Sequence, residues 1–323
     1  MIEFLILIIT SSYHFLATLR ENKKHKPPGE LIDIGGYKLH LYSRGEGEVT
    51  VIVDHSLGGI DGYFLIDKIA KLTKVCIYDR PGYGWSEPSK NKRCSQEIAL
   101  ELDLLLEQAK IDPPYILLGQ SFGSYNVRLY ARYFPEKVAG IILTDGLHEE
   151  KMLKMPPLLN GLKVFFMSGF VMSAIGSILG IVRILGNLKT FELLKRELRK
   201  YPSATLFRVK RSFYSHNHWI TMWREMWHLD LSAKQVREAK DFGDLPVINI
   251  KAKTFLKSNP WNFYMPLKAV DRLRDRMHEE LLKLSSNCRQ IQANKSDHFV
   301  WIDQPEVIIE AIEQMLALES EQK

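Results

Sequence analysis

The sequence predicts an α/β fold with a mostly parallel central sheet flanked by helices and with an inserted helical cap. Short apolar runs alternate with longer stretches of helical spacing over residues 27–150 and again over 241–323. This alternation is typical of parallel strands joined by helices that cover both faces of a sheet. Residues 151–240 contain only helical patterns, so we assign them to a cap that separates the two parts of the core.

The N-terminal segment, residues 1–26, is predicted to be a membrane anchor with a basic flank. Residues 2–19 are mostly apolar and just long enough to span a bilayer. Four basic residues follow this run: Arg20, Lys23, Lys24 and Lys26. A cleaved signal peptide would have its basic residues before the run, and the positive-inside rule places the following domain in the cytoplasm. A signal peptide, a helix that lies on the membrane and an ordinary amphipathic helix are the alternatives.

The elements of the core follow from short β-branched runs, bounded by turn residues, and from apolar residues at helical spacing. Before the cap we predict a hairpin over 31–45 that turns at Gly35 and Gly36, strands over 49–54, 74–79, 115–119 and 138–145, and helices over 62–72, 95–110 and 122–134. After the cap we predict strands over 246–252 and 288–294 and a closing helix over 304–318.

The composition is that of a folded globular protein. The chain has 323 residues, of which 46% are hydrophobic and 25% are charged, so disorder is not expected. The length suits one large domain with an inserted subdomain, or two domains. The three cysteines, Cys76, Cys94 and Cys288, have no zinc-site spacing and form no disulfide framework, which favours a reducing compartment. The sequence predicts no metal site and no cofactor.

The residues that carry chemistry begin with Gly119-Gln120-Ser121-Phe122-Gly123, a G-x-S-x-G pattern. It lies between the strand predicted over 115–119 and the helix predicted over 122–134, which is the context of a nucleophile elbow. The turn is tight, so small residues must flank the serine. The pattern therefore predicts Ser121 as a nucleophile.

Acyl transfer at Ser121 also needs hydrogen-bond donors for the oxyanion. One donor is expected to be the backbone N–H of Phe122, the residue after the nucleophile. The other is expected from the loop after the strand 49–54, and we choose the N–H of Leu57 there. The alternative for this loop is a glycine turn that merely reverses the chain.

The general base is predicted to be His298, which lies between the last strand and the last helix. A loop there lies at the carboxyl edge of a parallel sheet, on the same side as Ser121. Asp145 ends the strand before the cap and is the preferred acid for orienting the imidazole. Asp271 is the second choice, and Asp297 is disfavoured because it directly precedes the histidine.

These motifs resemble the α/β-hydrolase superfamily and, more narrowly, a group of membrane-anchored bacterial serine hydrolases. The similarity covers residues 28–148 and 246–318, and it is most specific around Ser121. It implies an α/β-hydrolase fold with Ser121, Asp145 and His298 as the catalytic triad. A serine nucleophile argues against epoxide hydrolases and haloalkane dehalogenases, which use a carboxylate.

The chain departs from the superfamily pattern at three positions. Gln120 stands where histidine is most frequent, Ser56 replaces a usual glycine beside the expected oxyanion site, and Ser124 replaces a third glycine after the elbow. We expect these three changes to alter the reaction rate and the choice of substrate more than the class of reaction.

The cap contains an uncharged stretch, residues 164–182, that is long enough to span a membrane. Ser121 precedes this stretch and His298 follows it, and a single crossing would separate them. We therefore expect a cap helix or a helix in the membrane interface. The cap carries 16 Lys and Arg against 5 Asp and Glu, so its charge is +11 and that of the rest of the chain is −5. This charge favours anionic lipid as a partner, whereas no motif for binding nucleic acid accompanies it.

The expected activity is hydrolysis of a carboxylic ester, hydrophobic or lipid-like, through an acyl-enzyme. The alternatives are hydrolysis of an amide, a thioester or a carbon–carbon bond, and a binding or receptor protein of this fold that turns over slowly.

Overall fold

The computed structural model describes residues 2–258 and 262–321. The strands of this part of the chain are β1 (Glu30–Asp33), β2 (Lys38–Arg44), β3 (Thr50–Asp54), β4 (Lys74–Tyr78), β5 (Tyr115–Gln120), β6 (Val138–Thr144), β7 (Val247–Ala252) and β8 (Cys288–Ala293). They form one sheet in the order β1-β2-β4-β3-β5-β6-β7-β8. β1 and β2 are antiparallel to each other, and β2 is antiparallel to β4. The pairs from β4 to β8 are parallel, which confirms the predicted mostly parallel sheet.

The predicted hairpin is formed by β1 and β2. Gly35 and Gly36 have φ values of +96° and +113°, which residues with a Cβ rarely adopt. Their N–H groups donate to the Asp33 carboxylate at 2.9 and 3.2 Å. The central strands β3 and β5 are buried along their whole length, which explains why their sequences are continuous apolar runs rather than alternating ones.

Helices cover the sheet and build the cap. In chain order they are α1 (Ile2–Lys24), α2 (Ile66–Ile69), α3 (Ser95–Gln108), α4 (Gly123–Tyr133), α5 (Glu149–Leu153), α6 (Pro157–Ile178), α7 (Ile181–Asn187), α8 (Thr190–Leu194), α9 (Ser203–Tyr214), α10 (His216–Trp227), α11 (Leu229–Val236), α12 (Leu267–Leu281), α13 (Val300–Asp303) and α14 (Pro305–Glu321). Short 3₁₀ segments lie at Asp61–Phe64, Pro135–Lys137 and Arg196–Lys200.

Two apolar layers hold the helices on opposite faces of the sheet. α3 and α4 contribute Leu102 and Leu129 to one layer. α2 and α14 contribute Ile69 and Ile308 to the other. Both faces of the central strands β3 and β5 are therefore removed from water, as a parallel sheet requires.

Three segments differ from the sequence-based prediction. The helix predicted over 62–72 consists of a 3₁₀ turn and the four-residue α2. The helix α12 was not predicted, although Val270, Leu273, Met277 and Leu281 form a buried stripe at helical spacing. The apolar stretch 164–182 is not one helix, because Gly180 adopts φ +77° and separates α6 from α7.

The cap lies between β6 and β7, and the chain from 149 to 236 contains helices without a strand. α6 packs against α10. Within the described residues, α6 is the one helix that is long and apolar enough to cross a membrane by length and composition. Only 11% of its most apolar window is buried, so it is not a helix of the protein core.

Candidate active site

The turn between β5 and α4 holds Ser121 in a left-handed conformation with φ +50°. A Cβ on Gly119 would lie 2.5 Å from the Val127 side chain, and a Cβ on Gly123 would lie 2.4 Å from the Asp54 carbonyl oxygen. Both positions of the G-x-S-x-G pattern therefore exclude a side chain. The Ser121 N–H donates to the Thr144 carbonyl at 2.9 Å, which fixes the elbow to the adjacent strand β6.

Ser121, His298 and Asp145 lie in one hydrogen-bonded chain. His298 Nε2 is 2.9 Å from Ser121 Oγ, and His298 Nδ1 lies within hydrogen-bonding distance of Asp145 Oδ2. Nδ1–H therefore donates to the carboxylate, so Nε2 is free to accept the serine proton. Each residue follows the carboxyl end of a strand: Ser121 follows β5, Asp145 follows β6 and His298 follows β8.

Asp145 has several hydrogen-bonding partners besides His298. It has φ +46° and is buried, and it also contacts Arg274, His278 and the N–H of Ala252. Burial alone would raise the pKa of Asp145. Hydrogen bonds from His278 and His298, with the charge of Arg274, nevertheless hold that pKa well below its ordinary value. The carboxylate is therefore ionised at neutral pH.

The other two acids considered from the sequence have different partners. Asp271 accepts hydrogen bonds from Thr254 Oγ1 and the Phe255 N–H, both at 2.7 Å, so it fixes the loop after β7. Asp297 accepts hydrogen bonds from Lys195 Nζ at 2.9 Å and from the Phe299 N–H at 3.1 Å.

The loop after β3 brings Leu57 to the cavity that Ser121 and Phe122 also line. Within residues 2–258 and 262–321, the backbone N–H groups of Leu57 and Phe122 donate no hydrogen bond. Ser56, the departure from the usual glycine, donates its N–H to the Asp61 carboxylate. Burial raises the pKa of Asp61 to about 6, although hydrogen bonds from Ser56 oppose the shift.

A buried arginine fixes this loop from the other side. Arg80 donates to the carbonyl oxygens of His55 and Ser56 at 2.8 Å each. The same guanidinium binds Asp54 in the core and Glu225 on the cap helix α10, each at 2.8 Å. The side chains of all three charged residues are fully buried. One ionic cluster therefore connects the cap with the loop beside Ser121.

The cavity above Ser121 has a volume of about 920 Å³ and is bounded by core and cap. Aromatic and aliphatic side chains form most of its lining, among them Phe166, Phe170, Phe213, Trp219 and Met222. This size and lining suit a largely apolar organic molecule that presents one polar group to Ser121.

Sequence reasoning missed Arg274, His278 and the pair Arg80–Glu225. Arg274 and His278 lie four residues apart on α12, so they share a face of that helix, and the apolar stripe beside them was a usable signal. No local pattern indicates that Arg80 pairs with Glu225, because 145 residues separate them.

Comparisons with known proteins agree with this architecture. A family model for the alpha/beta hydrolase fold matches residues 50–171. Uncharacterized protein YbdG of Bacillus subtilis is 28% identical over 154 residues, which are 45% of this chain and 47% of the relative. The match thus spans about half the length of that relative. Uncharacterized protein YqjL of the same organism is 22% identical over 290 residues, 86% of this chain and 88% of the relative. An uncharacterized vacuolar membrane protein of Saccharomyces cerevisiae is 29% identical over 120 residues, 35% of this chain and 18% of the relative.

Three solved structures are similar over most of their length. The epoxide hydrolase CorEH has a TM-score of 0.61 and 15% identity and covers 89% of this chain and 97% of its own. The enol-lactonase of Burkholderia xenovorans has a TM-score of 0.60 and 14% identity, with coverage of 89% and 100%. A carboxylesterase structure from Nitrososphaera gargenis has a TM-score of 0.60 and 18% identity, with coverage of 89% and 97%.

Proposed function

Because this chain has the α/β-hydrolase fold, we propose that it is a serine hydrolase that cleaves a carboxylic ester through an acyl-enzyme on Ser121. One observation carries the proposal: the 2.9 Å contact between Ser121 Oγ and His298 Nε2, with Asp145 on the opposite ring nitrogen. A serine hydroxyl paired with an oriented imidazole can act as a nucleophile at neutral pH.

Acylation uses His298 first as a base and then as an acid. Nε2 takes the proton of Ser121 Oγ while the oxygen attacks the ester carbonyl carbon. The N–H groups of Leu57 and Phe122 stabilise the oxyanion of the tetrahedral intermediate. The imidazolium then returns the proton to the leaving alkoxide, and the alcohol departs.

Deacylation repeats the proton transfers with water as the nucleophile. His298 Nε2 accepts a proton from water, the resulting hydroxide attacks the acyl carbon, and the Ser121–acyl bond breaks. The imidazolium reprotonates Ser121 Oγ, and the carboxylic acid leaves. The low pKa of Asp145 supports a carboxylate that stays ionised and stabilises the imidazolium in both halves.

The substrate is a hydrophobic, lipid-like ester. The apolar lining of the cavity supports this assignment, because a charged or strongly hydrated acyl chain would lose its water there. The relatives agree at the level of chemistry: one solved structure is named an enol-lactonase and another a carboxylesterase. The serine nucleophile separates the reaction from that of the structurally similar epoxide hydrolase.

The enzyme acts at a membrane, with its catalytic domain on the cytoplasmic side. The exposed apolar helix α6 supports this location, as does the relative named a vacuolar membrane protein. The basic residues that follow the apolar part of α1 favour the cytoplasmic leaflet, whose anionic lipids attract them.

The variant Ser121→Ala tests the proposal. We expect it to lose hydrolysis of hydrophobic p-nitrophenyl esters by roughly a thousandfold or more, because no acyl-enzyme can form. A fluorophosphonate probe should label the wild-type protein and fail to label the variant. Ser56→Ala removes the other cavity hydroxyl close to the site and is the matched control, which should still be labelled.

Labelling of Ser121→Ala at the wild-type rate would contradict the proposal. Labelling of the wild type without ester turnover would instead indicate a binding or receptor protein with an intact nucleophile.

A further inference from the structure

The N-terminal helix α1 is bound to the cap rather than free. Arg183 of α7, almost fully buried, donates to Glu21 Oε2 and Thr18 Oγ1 at 2.9 Å each and to His14 Nδ1 at 3.1 Å. Its guanidinium also lies 4.5 Å from the centroid of the Tyr214 ring. A buried arginine whose donors meet three residues of one helix fixes that helix firmly.

Two further contacts extend this interface along α1. A Cβ on Gly180 would lie 2.4 Å from the carbonyl oxygen of Thr10, so the two backbones approach closely at that glycine. Asn187 Nδ2 donates to Tyr13 Oη at 2.9 Å. The cap therefore contacts α1 from residue 10 onwards.

This docking limits how far α1 reaches beyond the protein. Residues 2–9 precede the contacts described above, and a helix of eight residues is about 12 Å long. The hydrocarbon core of a bilayer is about 30 Å thick. Residues 2–9 are, as a helix, long enough to enter one leaflet and shorter than the hydrocarbon core of the bilayer.

We propose that the N-terminal part of α1 and the helix α6 insert together into one leaflet of a bilayer, which is a monotopic arrangement. The end of α1 supplies Phe4 and Ile8, which are 70% and 47% exposed, and α6 supplies Val171 and Ile175. α6 ends two residues before the glycine that touches α1, so its exposed C-terminal part lies close to α1.

The charges on α1 suit an anionic membrane surface. Arg20, Lys23 and Lys24 are exposed, and they lie about 16 to 23 Å along the helix from Ile9. Residues at that distance from an inserted end stand at the level of the lipid headgroups or just outside them. Basic side chains there attract anionic lipids.

α6 separates the proposed membrane face from the cavity. Leu159, Leu162, Phe166 and Phe170 line the cavity, whereas Val164, Phe165 and Met172 are exposed on the outer side of the same helix. A lipid in the leaflet is therefore one helix away from the space above Ser121. Delivery of a lipid ester by this route rests on the proposed function, but membrane binding itself does not.

Flotation of the full chain with vesicles of phosphatidylcholine and phosphatidylglycerol tests the proposal. The wild type should float with these vesicles. The pair Phe4→Asp and Ile8→Asp should weaken binding by at least about tenfold, because each charge would enter hydrocarbon. The pair Val171→Asp and Ile175→Asp should do the same.

The matched control is Leu100→Asp with Leu104→Asp on α3. These leucines have the same spacing and are 41% and 44% exposed, but their helix belongs to the core and not to the proposed inserting segments. This pair should bind vesicles like the wild type. Joint insertion would be overturned if the α3 pair lost vesicle binding to the same degree. It would also be overturned if either the α1 pair or the α6 pair bound vesicles like the wild type.

Hydrolysis of a short soluble ester separates the two proposals. All three pairs should retain it, since none of these residues lines the cavity. If the wild type hydrolysed neither this ester nor the hydrophobic p-nitrophenyl esters, the proposed function would be refuted while the flotation result stayed intact.

A cysteine at the end of α1 distinguishes insertion from spanning. In cells, Glu3→Cys should not react with a membrane-impermeant maleimide added outside. Labelling from outside would show that α1 crosses the bilayer and would overturn the monotopic arrangement.

Discussion

The Asp145 carboxylate is held by more groups than the orientation of one histidine requires. Besides His298 it contacts Arg274, His278 and the N–H of Ala252. Arg274 Nη1 also lies 3.1 Å from Asp271, so the two acids considered from the sequence share one guanidinium. The arginine thus positions the carboxylate that orients the imidazole.

Arg274→Met should slow turnover and change its pH dependence. We expect kcat to fall by roughly tenfold, because the carboxylate loses a charged partner that fixes it. Removing this cation also removes a charge that lowers the pKa of Asp145, so the carboxylate should become protonated at a higher pH than in the wild type. The acid limb of kcat/KM should therefore move to higher pH, as measured on a soluble ester.

The control is Arg272→Met, which removes an exposed arginine from the same helix. Its pH profile should match that of the wild type. An unmoved acid limb in Arg274→Met would show that the arginine serves only the fold.

At the scale of elements, the elbow depends on two glycines with no room for a side chain. The clash at Gly123 is with backbone, since the nearest atoms belong to Asp54 and His55, and backbone cannot move aside as a flexible side chain can. Close contact between α4 and the end of β3 is therefore part of how the elbow is built.

Gly123→Ala should lower the free energy of unfolding by about 2 kcal/mol or more, because overpacking shifts α4 away from β3. Gly161→Ala, in the exposed part of α6 with no atom within 4 Å of the new Cβ, is the control. It should raise stability by about 0.5–1 kcal/mol, the usual difference between alanine and glycine in a helix. Urea unfolding measures both, and a neutral Gly123→Ala would show that the elbow tolerates the methyl group.

The sequence predicted elements well where burial is uniform. β3 and β5 are buried throughout, so their composition alone identified them. The helix predicted over 62–72 was too long. A buried 3₁₀ turn and a short helix together show the same apolar spacing as one longer helix. The break at Gly180 reflects contact with α1, which lies about 170 residues earlier and leaves no local signal.

The three residues proposed for the triad could be predicted from the sequence, whereas the groups around them could not. Ser121, Asp145 and His298 each follow a strand, and the carboxyl ends of parallel strands meet at one edge. The groups that surround them come from α12 and the cap, and their approach depends on tertiary packing. Their catalytic roles stay predictions until the variants are measured.

At the scale of the whole molecule, the resemblance to the α/β-hydrolase superfamily is confirmed by the family model and the solved structures. The expectation that residues 2–19 form a separate anchor fits the contacts of α1 less well, since Arg183 ties that helix to the cap. Cap and core are themselves joined by the ion pair between Arg80 and Glu225.

Glu225→Gln should destabilise the protein by about 3 kcal/mol, because Arg80 would lose a buried charged partner. Asp230→Asn, which removes an acid of the cap that is paired with Lys163 at the surface, should cost less than about 1 kcal/mol. Thermal or urea unfolding of both variants measures the difference. Equal effects would mean that the buried cluster does not hold the cap.

Detection of the covalent intermediate tests the central claim most directly. The wild-type protein is mixed with a hydrophobic p-nitrophenyl ester, quenched in acid and analysed by mass spectrometry. We predict a mass increase equal to one acyl group on the peptide that contains Ser121, together with a burst of p-nitrophenol. Steady ester hydrolysis without an adduct on that peptide, or an adduct on another residue, would contradict the assignment of Ser121 as the nucleophile.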